Sequence, residues 1–231
     1  MKNQFASNFT FFKNIVALTF LLSSLCIAQE NNPDQQSVIR ETQQMSHQEH
    51  KLTLVWWVPE QFWRISFAAN QKLTEEQINS FIKTVKPYTL IAVVNGEFGS
   101  FGGVTYESET AIRSKLVIID NEGNQYSPLD SEEISADMQN FLGMMKPVFA
   151  NMLGAMGKNF DFYIFPAKGK TGKSIADPQK EGHFSIQLGE EKFKWRLPLG
   201  SLLPQKTCPK CGEKLSGSYK YCPFDGTSLE K

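Results

Sequence analysis

Two near-copies of one five-residue turn close this chain: CPKCG at Cys208–Gly212 and CPFDG at Cys222–Gly226. Cys222 stands for Cys208, Pro223 for Pro209 and Gly226 for Gly212, while Asp225 falls where Cys211 falls in the first copy. A glycine at the end of such a turn supplies the positive φ that lets backbone N–H groups aim at a sulfur. Around the turns the large apolar side chains are Leu215, Tyr219, Tyr221, Phe224 and Leu229. Burying those alone cannot offset the entropy of ordering some two dozen residues. The segment must therefore be held by a cross-link or by docking on the rest of the chain.

The C-x2-C-x10-C-x2-D spacing resembles a short zinc ribbon of the rubredoxin-knuckle type, over roughly residues 206–231. The resemblance implies two tight turns facing each other, each giving two ligands to a structural Zn2+. Carried onto this sequence, the ligands are Cys208, Cys211, Cys222 and Asp225, a carboxylate being an accepted zinc ligand. A decayed site would be expected to have lost Pro223 and Gly226 as well. Two rivals use the same residues. A Cys208–Cys211 redox pair would leave Cys222 odd, with no βαβ unit leading into the motif. Rubredoxin-style iron suits four thiolates better than three and an oxygen. An Asp225 that let go would open a Lewis-acid position. Small ribbons expose most of their surface, so the resemblance also implies a contact module.

The first residues read as an address. Lys2 and Lys13 are the charges ahead of Glu30, and the apolar run Ile15–Ala28 is short of the roughly 20 residues of a membrane span. Cys26 and Ala28 suit a cut before Gln29, so residues 1–28 are expected to be a signal peptide. The protein would then be exported, periplasmic or extracellular, touching membrane only through that segment. Attachment through Cys26 is disfavoured, because a lipobox wants a small residue where Leu25 stands. Residues 29–50 are polar and Gln-rich and read as a flexible linker. His47 and His50 there do not make HExxH.

Residues 51–204 carry the expected core, a body that resembles no family of known function. Lys51–Val58 and Phe62–Ala68 read as strands. Leu73–Pro87 predicts a helix: Thr74 caps it, Gln77 completes a capping box, and Ile78, Phe81, Ile82 and Val85 form its apolar face. Thr89–Asn95 is a buried strand, and Lys115–Tyr126 a hairpin turning at Gly123. A helix from Ser135 carries Met138, Phe141, Leu142, Met145, Val148, Phe149, Met152 and Met156 on one face, kinked at Pro147. Phe160–Pro166 is a strand. In the hairpin His183–Pro198, Phe184, Ile186 and Leu188 face inward with Phe193, Trp195 and Leu197. The sum is an α+β fold: a mainly antiparallel sheet with about two packed helices, plus the small ribbon at 205–231.

Other signals look like chemistry and fall short. AKGKTGKS at 167–174 nearly matches a phosphate loop, but Asp177-Pro178 follows where a helix must begin. NGEFGSFGG at 95–103 reads as a hairpin or flap. Trp56, Trp57 and Trp63 could line a sugar site but read as core packing, although adjacent strand residues point opposite ways and leave one of the Trp56–Trp57 pair room to face solvent. His183 sits on the polar phase of its strand, and Glu107/Glu109 and Asp130/Glu132/Glu133 read as solvated acids. Lys and Arg total 24 against 24 Asp and Glu, so whole-chain charge points to no nucleic acid. These features fit an exported binding or scaffold protein, with another protein or an envelope component as partner and no use for ATP. Whether it is an enzyme stays open, the alternative being a periplasmic hydrolase with its site near the 95–103 loop.

Overall fold

The computed structural model describes residues 34–68 and 73–230. The expected signal segment, with Cys26 and the cut after Ala28, lies outside the described residues. Among those described, no helix is long and apolar enough to cross a membrane.

In chain order the elements are α1 (Gln35–Thr42), β1 (Gln43–Met45), β2 (Lys51–Val58), α2 (Glu60–Ala68), α3 (Glu75–Val85), β3 (Tyr88–Phe98), β4 (Val104–Tyr106), α4 (Glu109–Arg113), β5 (Leu116–Ile119), β6 (Gln125–Tyr126), α5 (Ala136–Lys158), β7 (Asp161–Pro166), β8 (Gly182–Leu188), β9 (Glu191–Leu197), β10 (Lys206–Thr207) and β11 (Lys214–Leu215). The fold is α+β, and its paired strands are antiparallel. A five-stranded sheet runs β1-β2-β3-β4, with β7 joining β3 beside β4; a four-stranded sheet runs β6-β5-β8-β9.

The larger sheet is the middle of three layers. Trp56, Val58, Leu90 and Ala92 on one face pack with Phe62, Phe81 and Phe141 of the helices. Val55, Trp57, Ile91 and Val93 on the other face pack with Ile118, Phe184 and Trp195 of the smaller sheet. A strand buried on both faces needs no polar phase, which is why β2 and β3 read as continuous apolar runs. Trp56 and Trp57 are consequently both buried, as the core reading expects, one in each core, and neither faces solvent.

The helix over Glu75–Val85 matches its sequence signals. Thr74 accepts the Gln77 amide, the Gln77 side chain returns to the Thr74 amide, and the apolar face is buried. The β5–β6 hairpin turns at Gly123, whose φ is 85°. Ser135 caps α5, and Met138, Phe141, Leu142, Met145 and Met156 join the helical core. Cross-strand pairs Phe184↔Trp195 and Ile186↔Phe193 point inward, while Lys192, Lys194 and Arg196 stud the outside of edge strand β9. Such charges discourage pairing with a foreign strand.

Four expectations are corrected. Phe62–Ala68 is helical: Phe62, Trp63, Ser66 and Phe67 recur at helical spacing and bury one stripe, against a layer the strand reading did not foresee. Residues 34–45 are no flexible linker: Asp34 caps α1, Val38 is fully buried, and β1 extends the central sheet. One sheet with two helices is in fact two sheets, with α1, α2, α3 and α5 on one of them. The break in α5 falls at Gly154, at φ 58° and ψ −128°, a conformation open to glycine and costly for other residues.

At the rim between the sheets a polar chain closes the core. Thr53 donates to Asn95 (2.5 Å), Asn95 to Glu107 (2.9 Å), and Lys115 to the other Glu107 oxygen (2.6 Å). Burial would raise the Glu107 carboxyl; the Lys115 ammonium and the Asn95 amide more than reverse this and hold it below the usual range. A depressed folded value stabilises the protein above the unfolded value of about 4.3, and the gain is lost as pH falls through the lower folded value. Glu107→Gln is therefore expected to lower the urea midpoint at pH 7 and to shrink the drop in midpoint between pH 7 and pH 3.5.

Candidate metal centre

Each knuckle is built by the same pair of backbone bonds. Gly212 N donates to Cys208 O and Cys208 N to Glu213 O; Gly226 N donates to Cys222 O and Cys222 N to Thr227 O. Gly212 and Gly226 hold φ of 76° and 72°, as the turns require. The β10–β11 pair sets the first knuckle, and a bridge between Tyr221 and Ser228 sets the second.

The result brings Cys208, Cys211, Cys222 and Asp225 together, with one ligand atom from each within 4.8 Å of all the others. These four could hold a metal ion. Cys211 and Cys222 sulfurs are 3.7 Å apart, and the Cys208 sulfur is 3.4 Å from Asp225 Oδ2. A tetrahedral zinc ion, at about 2.3 Å from sulfur and about 2.1 Å from oxygen, sets such pairs about 3.8 and 3.6 Å apart, so the set fits the ion. The cysteines are free thiols rather than a Cys208–Cys211 bridge.

The electrostatics suit a cation. The Cys211 amide, with that of Lys210, holds the Cys208 thiol below its ordinary value. Although the Glu213 amide pulls the other way, desolvation and the neighbouring thiols and carboxylate push Cys211 up to about 12. The Thr227 hydroxyl and amide hold Asp225 well below the usual carboxylate range. The Cys208 and Cys211 thiols are thus driven apart and do not ionise together by themselves. A bound dication would displace their protons, and its uptake would weaken as pH falls.

Three further features of the ribbon escaped the sequence reading. Leu215 and Leu229 bury Cys208 and Cys222 in a core of their own. Thr227 N–H holds Asp225 Oδ1 at 2.9 Å. The ribbon also seats on the body at two glycines. A Cβ on Gly217 would lie 2.4 Å from Leu203 Cβ and 2.5 Å from Pro204 O, and one on Gly200 would lie 2.1 Å from Ser216 Oγ. Next to Gly200, Ser201 donates its amide and hydroxyl to Glu41 of α1, so the seat is tied to a helix. The Ala at Gly217 must push backbone aside. Gly217→Ala is expected to cost about 1–3 kcal/mol and speed amide exchange over 200–217 while metal uptake persists.

Elsewhere the sequence signals find structural duties. The 167–174 stretch is a tight loop: Gly169 N donates to Lys173 O, and Lys170 N donates to Tyr126 Oη. No helix follows it before β8. The 95–103 stretch ends β3 and turns into β4, with Phe101 fully exposed at its tip. Trp63 is buried, with its ring against Phe81 and Phe141. A groove of about 720 Å3, lined by Gln61, Asp120, Glu122, Lys173 and the exposed His183 among others, lies between α2 and the start of β8. Four of its five acids are engaged: Asp120 takes bonds from Asn124, Tyr126 and the Glu122 amide, Glu122 pairs with Lys173, Glu60 with Arg64 and Asp177 with Lys180, while Glu181 is exposed with no partner among the described residues. Glu109 pairs with Arg113, and Glu133 accepts the Asp130 amide. The chain matches no protein family, no curated protein and no solved structure.

Proposed function

We propose that this chain is an exported, non-enzymatic binding or scaffold protein whose C-terminal ribbon is organised by a structural Zn2+ on Cys208, Cys211, Cys222 and Asp225. The observation that carries the reading is the gathering of three cysteines and one aspartate with a ligand atom from each within 4.8 Å of the others, ringed by aromatics that face outward. Tyr219, Tyr221 and Phe224 are 45%, 62% and 72% exposed on this one small unit. Exposed aromatic side chains beside a rigid turn are what a protein contact uses as anchors. An oxygen among the ligands favours zinc over iron. Four of the groove's five carboxylates are held in hydrogen bonds or ion pairs, which favours binding over hydrolysis. The α+β body then serves as the scaffold, and the partner is another protein or an envelope component rather than nucleic acid.

Elemental analysis and intact mass of the mature protein test the centre and the cut at Gln29 together: about one zinc per chain is expected, with thiols unbridged. The contact reading predicts that Tyr219→Ser, Tyr221→Ser and Phe224→Ser combined retain zinc and the melting of the body but lose co-sedimentation with envelope fractions. Unchanged co-sedimentation by that variant would rule out the ribbon as the contact.

A further inference from the structure

The four ligands are not equally covered. Cys208 and Cys222, the first of each knuckle, are 1% and 2% exposed and lie in the ribbon's core. The second of each behaves differently: Cys211 is exposed and Asp225 half-buried. The backbone next to each is uncovered as well: a Cβ built on Gly212 or Gly226 meets no atom within 4 Å beyond its chain neighbours. The centre therefore has an inner pair of ligands and an outer edge made by Cys211 and Asp225.

At that edge the carboxylate is already shared. Asp225 Oδ1 accepts the Thr227 amide at 2.9 Å, while Oδ2 is the oxygen nearer the Cys208 sulfur, at 3.4 Å against 3.8 Å. One oxygen is thus left for an ion, and a single hard oxygen is the weakest donor in a set of soft thiolates. If it leaves, the carboxylate keeps its hydrogen bond to Thr227 and meets water, so it pays little desolvation. A thiolate leaving from the inner pair would instead stay in an apolar core.

We infer that the Asp225 position is an exchangeable ligand site open to a soft exogenous donor, a thiol, and that the ion passes in and out across the Cys211–Asp225 edge. This rests on reading the cluster as a metal centre. The step is a ligand substitution without change of oxidation state. With an ion held by Cys208, Cys211 and Cys222, the incoming thiol would give its proton to solvent and its sulfur would take the position that Asp225 Oδ2 would otherwise fill, freeing that carboxylate oxygen.

Cobalt(II) is the probe, because its sulfur-to-metal charge-transfer absorption reports the number of bound thiolates. The full mature chain is loaded with cobalt(II) and titrated with 2-mercaptoethanol. Wild type should gain about one third in that absorption, three sulfurs becoming four, and saturate. Asp225→Cys should start at the higher level and not respond, and Asp225→Ser should respond at lower thiol concentration. The thiol should also speed transfer of cobalt to a chelator in wild type and not in Asp225→Cys. A wild-type spectrum indifferent to millimolar thiol, one that collapses without first rising, or an equal rise in Asp225→Cys overturns the exchange. Failure to take up cobalt, or absorption from fewer than three thiolates, overturns the metal centre itself and the exchange with it.

Discussion

Cys222→Ser is expected to abolish stable metal uptake and to melt residues 206–230. Cys222 is at once one of the four residues placed to hold an ion and a quarter of the ribbon's core, which consists of Cys208, Cys222, Leu215 and Leu229. The strands there are two residues each, and the three aromatic rings point to solvent, so little burial remains to hold the fold. Losing a direct ligand should cost more than the roughly 10–100-fold in affinity typical of losing a ligand's supporting hydrogen bond. Metal per chain by elemental analysis and amide exchange over 206–230 read the result. The two large cores lie in the body, so its own urea transition should shift little. Slow exchange in a metal-free Cys222→Ser ribbon would mean that the seat at Gly200 and Gly217 folds it unaided.

Trp57→Ala should produce the largest loss of stability in the body, about 3–5 kcal/mol. Trp57 is 1% exposed between the two sheets. Its ring meets Phe184 edge-on at 4.8 Å, and Phe184 stacks on Trp195 at 5.1 Å. Both neighbours sit on strands whose register is fixed by paired residues, so the hole cannot close by collapse. The cost is a large share of the 5–15 kcal/mol available to a typical domain. Urea denaturation should show a lower midpoint with an unchanged slope. A loss under about 1 kcal/mol would mean that the two sheets do not pack through this side chain.

Helix α3 and the knuckles were legible because their signals are local. Thr74 and Gln77 are three residues apart, and so are Cys208 and Cys211; backbone geometry over one turn decides what such pairs can do. Phe62–Ala68 was misread because five apolar or aromatic residues in seven satisfy a strand as easily as a helix. The choice fell to the helical layer waiting on the central sheet. Asp34–Met45 reads as a linker because Val38, Ile39 and Met45 are its only large apolar residues, and the surface that buries Val38 and Ile39 is supplied by others.

The sequence by itself determined the ribbon's turns, the ligand types and their spacing, the capped helix and the inward phase of the β8–β9 hairpin, since each depends on side chains a few residues apart. Only the tertiary structure decided that the central sheet is covered on both faces, that Gly200 and Gly217 seat the ribbon on the body, and that Cys211 and Asp225 are the outer members of the Cys3Asp cluster. Those are contacts between residues far apart in the chain, and no short-range pattern carries the free energy that selects them.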